Sequence, residues 1–239
     1  MTPDRTLVPM GEDLWIVNNP HKWLGLDTRG RMVVMRLADG SLVLHSPVPI
    51  DDTLAQAMAE LGPVAHLIAP NTYHHVYVSD VQARYPDAKV WIADGLQKKR
   101  KDLKFDGVLD DATQLWPGEI EHRLFAGAPL FNEHVFFHRK SGAILFTDVL
   151  MNIHRVDGFL SKIVFKLEGV LRKTAVPRLL KFTVKDKAAA RESVSRWLEW
   201  PYSQVIMSHG EPLTGPDARA ITEQAFAWLK PAPKAIEAA

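Results

Sequence analysis

The sequence predicts an α/β protein with a parallel strand crossover at its centre, and three observations carry that reading. Val64 to Trp91 holds a buried-strand run, a His pair, a helical run and a second strand run in one unit. Apolar segments joined by a tight-turn signal precede it, as an antiparallel start does. Short apolar runs farther along end in Asp or His, which sets ligand-type side chains at strand ends.

In chain order, Leu14 to Val17, Arg31 to Leu37 and Ser41 to His45 read as strands, the last two joined by Ala38-Asp39-Gly40. Asp51 or Asp52 can cap a helix running to Leu61, with Leu54, Met58 and Leu61 on one face. Val64 to Ala69 is an apolar run entered through Gly62-Pro63 and left through Pro70-Asn71, the pattern of a buried strand. The loop Asn71 to His75 follows at its carboxyl end. Val76, Val81 and Tyr85 fit a helix that stops before Pro86, and Lys89 to Ile92 is strand again. So compact a strand–helix–strand unit implies a parallel crossover, and in open α/β sheets ligands collect beyond the carboxyl ends of the strands.

Asp94 to Leu115 is polar, with Lys98-Lys99-Arg100-Lys101 balanced by Asp102, Asp106, Asp110 and Asp111, and reads as a solvated, partly helical surface. Glu119 to Phe125, Glu133 to His138 and Ala143 to Thr147 are strand candidates, the last ending in Asp148. Phe159 to Leu171 repeats apolar residues at helical spacing, and Asp186 to Trp200 does so with Val194, Trp197 and Leu198. Gln204 to Ser208 is a strand run ending in His209-Gly210. A closing helix starts at Pro216 and reaches Leu229. No repeat or internal linker interrupts the chain, so one domain over residues 1–239 is expected, with 231–239 as a loose tail.

The chain has 239 residues, 46% apolar and 24% charged, and a net charge of +1, which suits a globular protein with a large core. No apolar run is long enough to span a bilayer and the N-terminus lacks an apolar signal core, so a cytoplasmic protein is expected. There is no cysteine, which excludes disulfides, thiolate metal sites and cysteine nucleophiles.

Three strand ends therefore carry candidate ligands: His74 and His75, Asp148, and His209. Imidazole and carboxylate are the ligand set of zinc, iron or manganese hydrolase sites, and a bound metal would activate a water and polarise the scissile group. Each residue also has an ordinary reading. His74 or His75 could cap the loop, Asp148 could cap the segment after its strand, and Glu133 could be a surface residue of a strand.

The order of these pieces, with YPDAKVW, NEHVFFHR, LFTDVLMN and SHG in turn, resembles the metallo-β-lactamase superfamily over nearly the whole chain. More closely it resembles the branch known as domain of unknown function 4336. The resemblance implies an αββα sandwich of metallo-β-lactamase type, with the site at one edge of its two sheets. It also implies an activity, since members are commonly hydrolases of lactams, thioesters, lactones, phosphoesters or nucleic acids, with some oxidoreductases. The superfamily's first metal motif, His-x-His-x-Asp-His, is depleted here: the loop reads Asn71-Thr72-Tyr73-His74-His75, with His74 and His75 near the final Asp-His pair. Leu130 falls where the next His is expected, so Glu133 or His134 would substitute. Asp148 matches the bridging Asp and His209 the last His.

A single divalent ion, zinc first and iron or manganese as alternatives, is thus expected on some of His74, His75, Glu133, Asp148 and His209. The implied reaction is hydrolysis of an ester-like, lactone or phosphoester small molecule. Asp148 would orient the water and act as base, and Tyr73 or Asn71 would donate to the developing oxyanion. The rival is a metal-free binding or structural protein of the same fold. An iron-dependent oxidoreductase is a third reading. Between Arg155 and Arg196 lie eleven Lys or Arg against four acids, Asp157, Glu168, Asp186 and Glu192. Such a face attracts phosphates, an anionic substrate or a membrane surface, while the near-zero net charge argues against nucleic acid as the main partner.

Overall fold

A computed structural model describes residues 5–20 and 22–229 of the chain; the tail expected at 231–239 lies outside the described residues. Two sheets face each other. The first has seven strands in the order Val8–Gly11, Leu14–Asn19, Gly30–Arg36, Leu42–His45, Val64–Ala69, Lys89–Ile92 and Gly107–Val108. It begins antiparallel and turns parallel from Leu42–His45 onward. The second has five, Ile120–Leu124, His134–His138, Ala143–Phe146, Gln204–Met207 and Leu213–Thr214, of which Ala143–Phe146 and Gln204–Met207 pair in parallel.

The period-2 side-chain alternation of a strand sorts the core into layers. In Gly30–Arg36, Val33 and Met35 face the other sheet while Met32 and Val34 face outward to helices. In the second sheet Phe136, Leu145 and Ile206 meet them across the middle, while Val135, Phe137, Ile144 and Val205 turn to the opposite helical layer. Each outer layer is closed by amphipathic helices. Asp52–Ala59 is capped by Asp51, whose carboxylate accepts from the Leu54 N–H at 2.9 Å, and it buries Leu54 and Met58. Val78–Arg84 adds Val78 and Val81 to the same cluster. On the other side Lys187–Leu198, capped by Asp186, buries Ala190, Val194 and Trp197 beside Ala218–Ala225.

Two expected helices end early. The expected Phe159–Leu171 helix spans Phe159–Glu168, because Gly169 takes a left-handed conformation (φ 75°) and its N–H turns back to the carbonyls of Phe165 and Lys166. The closing helix begins at Ala218 and gives way after Ala225 to a 3₁₀ turn, Ala227–Leu229. The polar segment 94–115 contains a helical turn, Leu96–Lys99, and the edge strand Gly107–Val108. That strand, Val8–Gly11, Thr174–Ala175 and the helix Arg178–Thr183 are too short for periodicity to reveal, and pairing or packing with neighbours defines them.

Candidate metal centre

Strands Leu42–His45, Val64–Ala69, Ala143–Phe146 and Gln204–Met207 all end at one edge of the sandwich. The residues just past those ends are Ser46, the loop 71–75, Thr147-Asp148 and Ser208-His209. There His74, Asp148 and His209 converge. His74 Nε2 lies 3.1 Å from His209 Nε2 and 3.5 Å from Asp148 Oδ2, and His209 Nε2 lies 3.3 Å from Asp148 Oδ1. Three potential ligand atoms thus face one point.

Each imidazole is held from behind. His209 Nδ1 donates toward the carbonyls of Thr28 and Arg29, at 2.8 and 2.7 Å, and carbonyls only accept. In the neutral ring the lone pair is therefore on Nε2, aimed at Asp148 and His74. His74 Nδ1 lies 2.6 Å from Ser46 Oγ. Ser46 has φ 56°, a left-handed conformation that a non-glycine residue rarely takes, and that backbone turn sits at the hydroxyl contacting His74.

The carboxylate is held as firmly. Asn71, fully buried, donates its amide to Asp148 Oδ2 at 2.7 Å, to Thr147 Oγ1 at 2.9 Å and to Glu133 Oε2 at 3.2 Å. Its amide oxygen accepts from the N–H groups of Tyr73 and His74, which closes the first loop over itself. Glu133 accepts the backbone N–H groups of Thr147, Asp148 and Val149 at 2.7, 2.7 and 3.1 Å. Asn71 and Glu133 together lock the turn that presents Asp148.

Charge follows from this packing. Burial alone would raise the Asp148 pKa, but the imidazoles of His74 and His209 override it and hold the carboxyl well below its usual range. Burial works against charge on His209 as well, and there the hydrogen bond and charge of Asp148, with the Thr28 and Arg29 carbonyls, raise the ring's pKa. Burial and the nearby Asp148 push Glu133 up, opposed by the N–H donors of its turn.

The remaining expected residues are dispersed around this point. His75 turns away, its Nδ1 accepting from Arg100 at 2.9 Å, and burial with Lys99 and Arg100 lowers its pKa to about 4. Glu133 spends both carboxylate oxygens on the turn and on Asn71, whose own amide is spent in return. His134 points between the sheets, with Nδ1 3.3 Å from His122 Nδ1. Tyr73 borders the centre with its ring 5.0 Å from Phe131, and burial then Asp148 raise its pKa, so its hydroxyl keeps its proton as a donor. Sequence reasoning missed Ser46 and the carbonyls of Thr28 and Arg29. A Ser just beyond a buried strand was the one signal for Ser46; a backbone carbonyl leaves none.

Adjacent ligand atoms on an ion with bonds of about 2.0–2.1 Å stand roughly 3.0–3.4 Å apart; the two Nε2 atoms are 3.1 Å apart, and each faces a different oxygen of the Asp148 carboxylate, at 3.3 Å for His209 and 3.5 Å for His74, close to that spacing. Imidazoles oriented through the far nitrogen and a carboxylate held by an amide are also the supports that metal ligands need. The residues present therefore fit one divalent ion. A second group joins the buried His122 and His134 to the partly exposed Asp111. It fits less well: the Asp111 side chain is 39% exposed and stands 3.8 Å from His134 Nδ1, against the buried Asp148 and its shorter distances.

A cavity of about 330 Å³ opens beside His74, Asp148 and His209, walled mainly by apolar side chains, among them Leu26, Val48, Phe131, Val164, Phe165 and Leu180.

Two facing sheets flanked by helices, with imidazoles and a carboxylate at their common edge, define the metallo-β-lactamase fold. Solved structures agree. "DIM-1 Metallo-beta-Lactamase exposed to Ceftazidime" superposes with a TM-score of 0.65 at 12% identity, over 94% of this chain and 97% of that one. A metallo-β-lactamase from Hirschia baltica gives 0.62 at 13% identity, over 95% and 99%. The metal-soaked Flv1 flavodiiron core from Synechocystis sp. PCC6803 gives 0.62 at 11% identity, over 94% of this chain and 60% of that one. The family described as "Domain of unknown function (DUF4336)" matches residues 11–193, and the chain belongs to it. No curated protein matches the chain.

Proposed function

We propose that the chain is a metal-dependent hydrolase of an ester-like, lactone or phosphoester small molecule, with one ion on His74, Asp148 and His209. The observation that carries this is the convergence of two oriented Nε2 atoms and a buried carboxylate within 3.5 Å of one another. A divalent ion there would supply a more acidic water and polarise the reacting oxygen of the substrate. The chain's own groups do the rest. Asp148, set at the cavity edge by Asn71 and the turn it belongs to, would orient the attacking water and accept its proton. Tyr73 keeps its hydroxyl proton and stands at the cavity wall, where it can donate to a developing oxyanion. Asn71 and Glu133 act as positioning residues through the turn at Asp148. The apolar walls suit a substrate with an apolar body and exclude bulk water from the reacting end.

Three protein ligands with an open position is the pattern of a catalytic zinc site. Two His and one carboxylate is also an iron(II) set, which favours an oxidoreductase as the second reading. Elemental analysis of protein purified without a metal-binding tag distinguishes them. About one equivalent of zinc or manganese is expected, lost in the His74→Ala/His209→Ala double variant together with hydrolysis of model esters, lactones or phosphoesters. Iron at that stoichiometry, with no hydrolysis, favours the oxidoreductase. A well-folded protein that refuses zinc, iron and manganese overturns both and leaves a binding role.

A further inference from the structure

Of the large apolar side chains more than half exposed among the described residues, Phe159, Leu160, Leu167, Leu179 and Phe182 lie on two neighbouring helices, with Leu24 and Val76 elsewhere. On Phe159–Glu168, Phe159 is 81% exposed, Leu160 58% and Leu167 63%, with Ile163 between them. At 3.6 residues per turn these four residues share an arc of about 100°. Ser161 and Phe165 are the buried residues on the opposite side. On Arg178–Thr183, Leu179 is 55% exposed and Phe182 89%. The second helix is tied to the end of the first: Arg178 donates to the Leu167 carbonyl at 2.9 Å, and the Leu179 N–H donates to Glu168 at 2.8 Å. These bonds set the two exposed apolar faces on adjoining helices, and exposed apolar side chains that cluster, unlike those scattered singly, mark interaction sites.

Their border is basic. Lys162 and Lys166 flank the Phe159 side of the stripe by helical spacing, Arg178 is exposed on the second helix, and Lys173 and Lys185 are exposed in the segments that precede and follow that helix. An outward apolar stripe bordered by Lys and Arg is how a helix lies in the headgroup region of an anionic bilayer. A second copy of this chain seated on the same face across a two-fold axis would bring the two basic borders together, which opposes that occupant. The same two helices also wall the cavity, through Val164, Phe165 and Glu168 on the first and Leu179 and Leu180 on the second, and of these Leu179 belongs to the exposed face.

We propose that the helices Phe159–Glu168 and Arg178–Thr183 dock the protein on an anionic lipid surface, with the mouth of the apolar cavity facing the bilayer. An amphiphile then reaches the cavity without crossing water. The docking does not depend on the metal centre, so it stands or fails separately from the hydrolase reading.

Co-sedimentation of the full chain with mixed phosphatidylglycerol–phosphatidylcholine vesicles tests it, with pure phosphatidylcholine vesicles as the control. The protein should pellet with the mixed vesicles and be released by salt. Phe159→Ser with Phe182→Ser should weaken partition by about tenfold or more, and Lys162→Glu with Lys166→Glu should do so comparably. Both pairs are exposed, so melting temperature and metal content should not move. Wild-type protein that stays in the supernatant at low salt overturns the proposal. So does a dimer by light scattering that the Phe→Ser pair converts to monomer while vesicle binding is absent, since the face then belongs to a second copy.

Discussion

Ser46 touches no ligand position itself, yet its hydroxyl lies 2.6 Å from His74 Nδ1 and fixes where Nε2 points. Removing such an orienting partner typically costs about 10–100-fold in metal affinity. Ser46→Ala should show that loss in a zinc titration while its urea midpoint stays near wild type. Glu133 predicts the reverse order of effects. Its carboxylate collects three backbone N–H groups and the Asn71 amide, so Glu133→Gln sets an NH₂ group against a buried donor. Leaving a buried donor unsatisfied costs roughly 1–3 kcal/mol, and the urea midpoint should fall accordingly. Full stability with lost metal would instead assign Glu133 to the ion. At this scale the sequence displays candidates but not their aim. His74 and His75 are indistinguishable neighbours in the chain, and only packing against Ser46 in one case and Arg100 in the other separates them.

Among the elements, the strand–turn Gln204 to Gly210 shows how a ligand is delivered. Gly210 has φ 99°, and a Cβ built there would sit 2.0 Å from the Asn152 carbonyl oxygen. The chain past His209 can turn against the Met151–Asn152 strand only without a side chain, which is why glycine follows the histidine. Gly210→Ala should destabilise by roughly 1–3 kcal/mol or more through forced backbone movement. It should also weaken metal binding, because His209 shifts with its neighbour; thermal unfolding and a metal titration check the two effects. The helix Phe159–Glu168 shows the limit of pattern reading: its apolar spacing is visible in the sequence, but much of that stripe faces out. Periodicity reports that a face is apolar and does not report what covers it.

Across the whole molecule, the layer between the sheets is rich in imidazole. His45 is 1% exposed, and among the described residues neither of its ring nitrogens finds a partner. Burial lowers its pKa to about 3, and burial lowers that of His138 to about 4, against 6.5 for an unfolded imidazole. Both pKa values are depressed on folding, so their stabilising contribution is complete above pH 6.5. It is lost as the pH falls from 6.5 toward 4 and below, where the unfolded chain takes up protons that the fold refuses. At pH 5 each such ring costs about 2 kcal/mol relative to neutral pH. Urea midpoints at pH 7 and pH 5 should show the drop, and His45→Leu should show a smaller one.

Periodicity and punctuation alone locate the strands Val64–Ala69, Lys89–Ile92, Ala143–Phe146 and Gln204–Met207 and the helices between them, because burying one face imposes period 2 or 3.6 on any chain. They also show that His74, Asp148 and His209 stand at strand ends. Which of the ten histidines meet, and that Asn71, Glu133 and Ser46 hold them, is settled only when two sheets close on each other. The contacts that orient these side chains join residues as distant as His209 and Thr28, and such long-range pairings write no local pattern into the sequence.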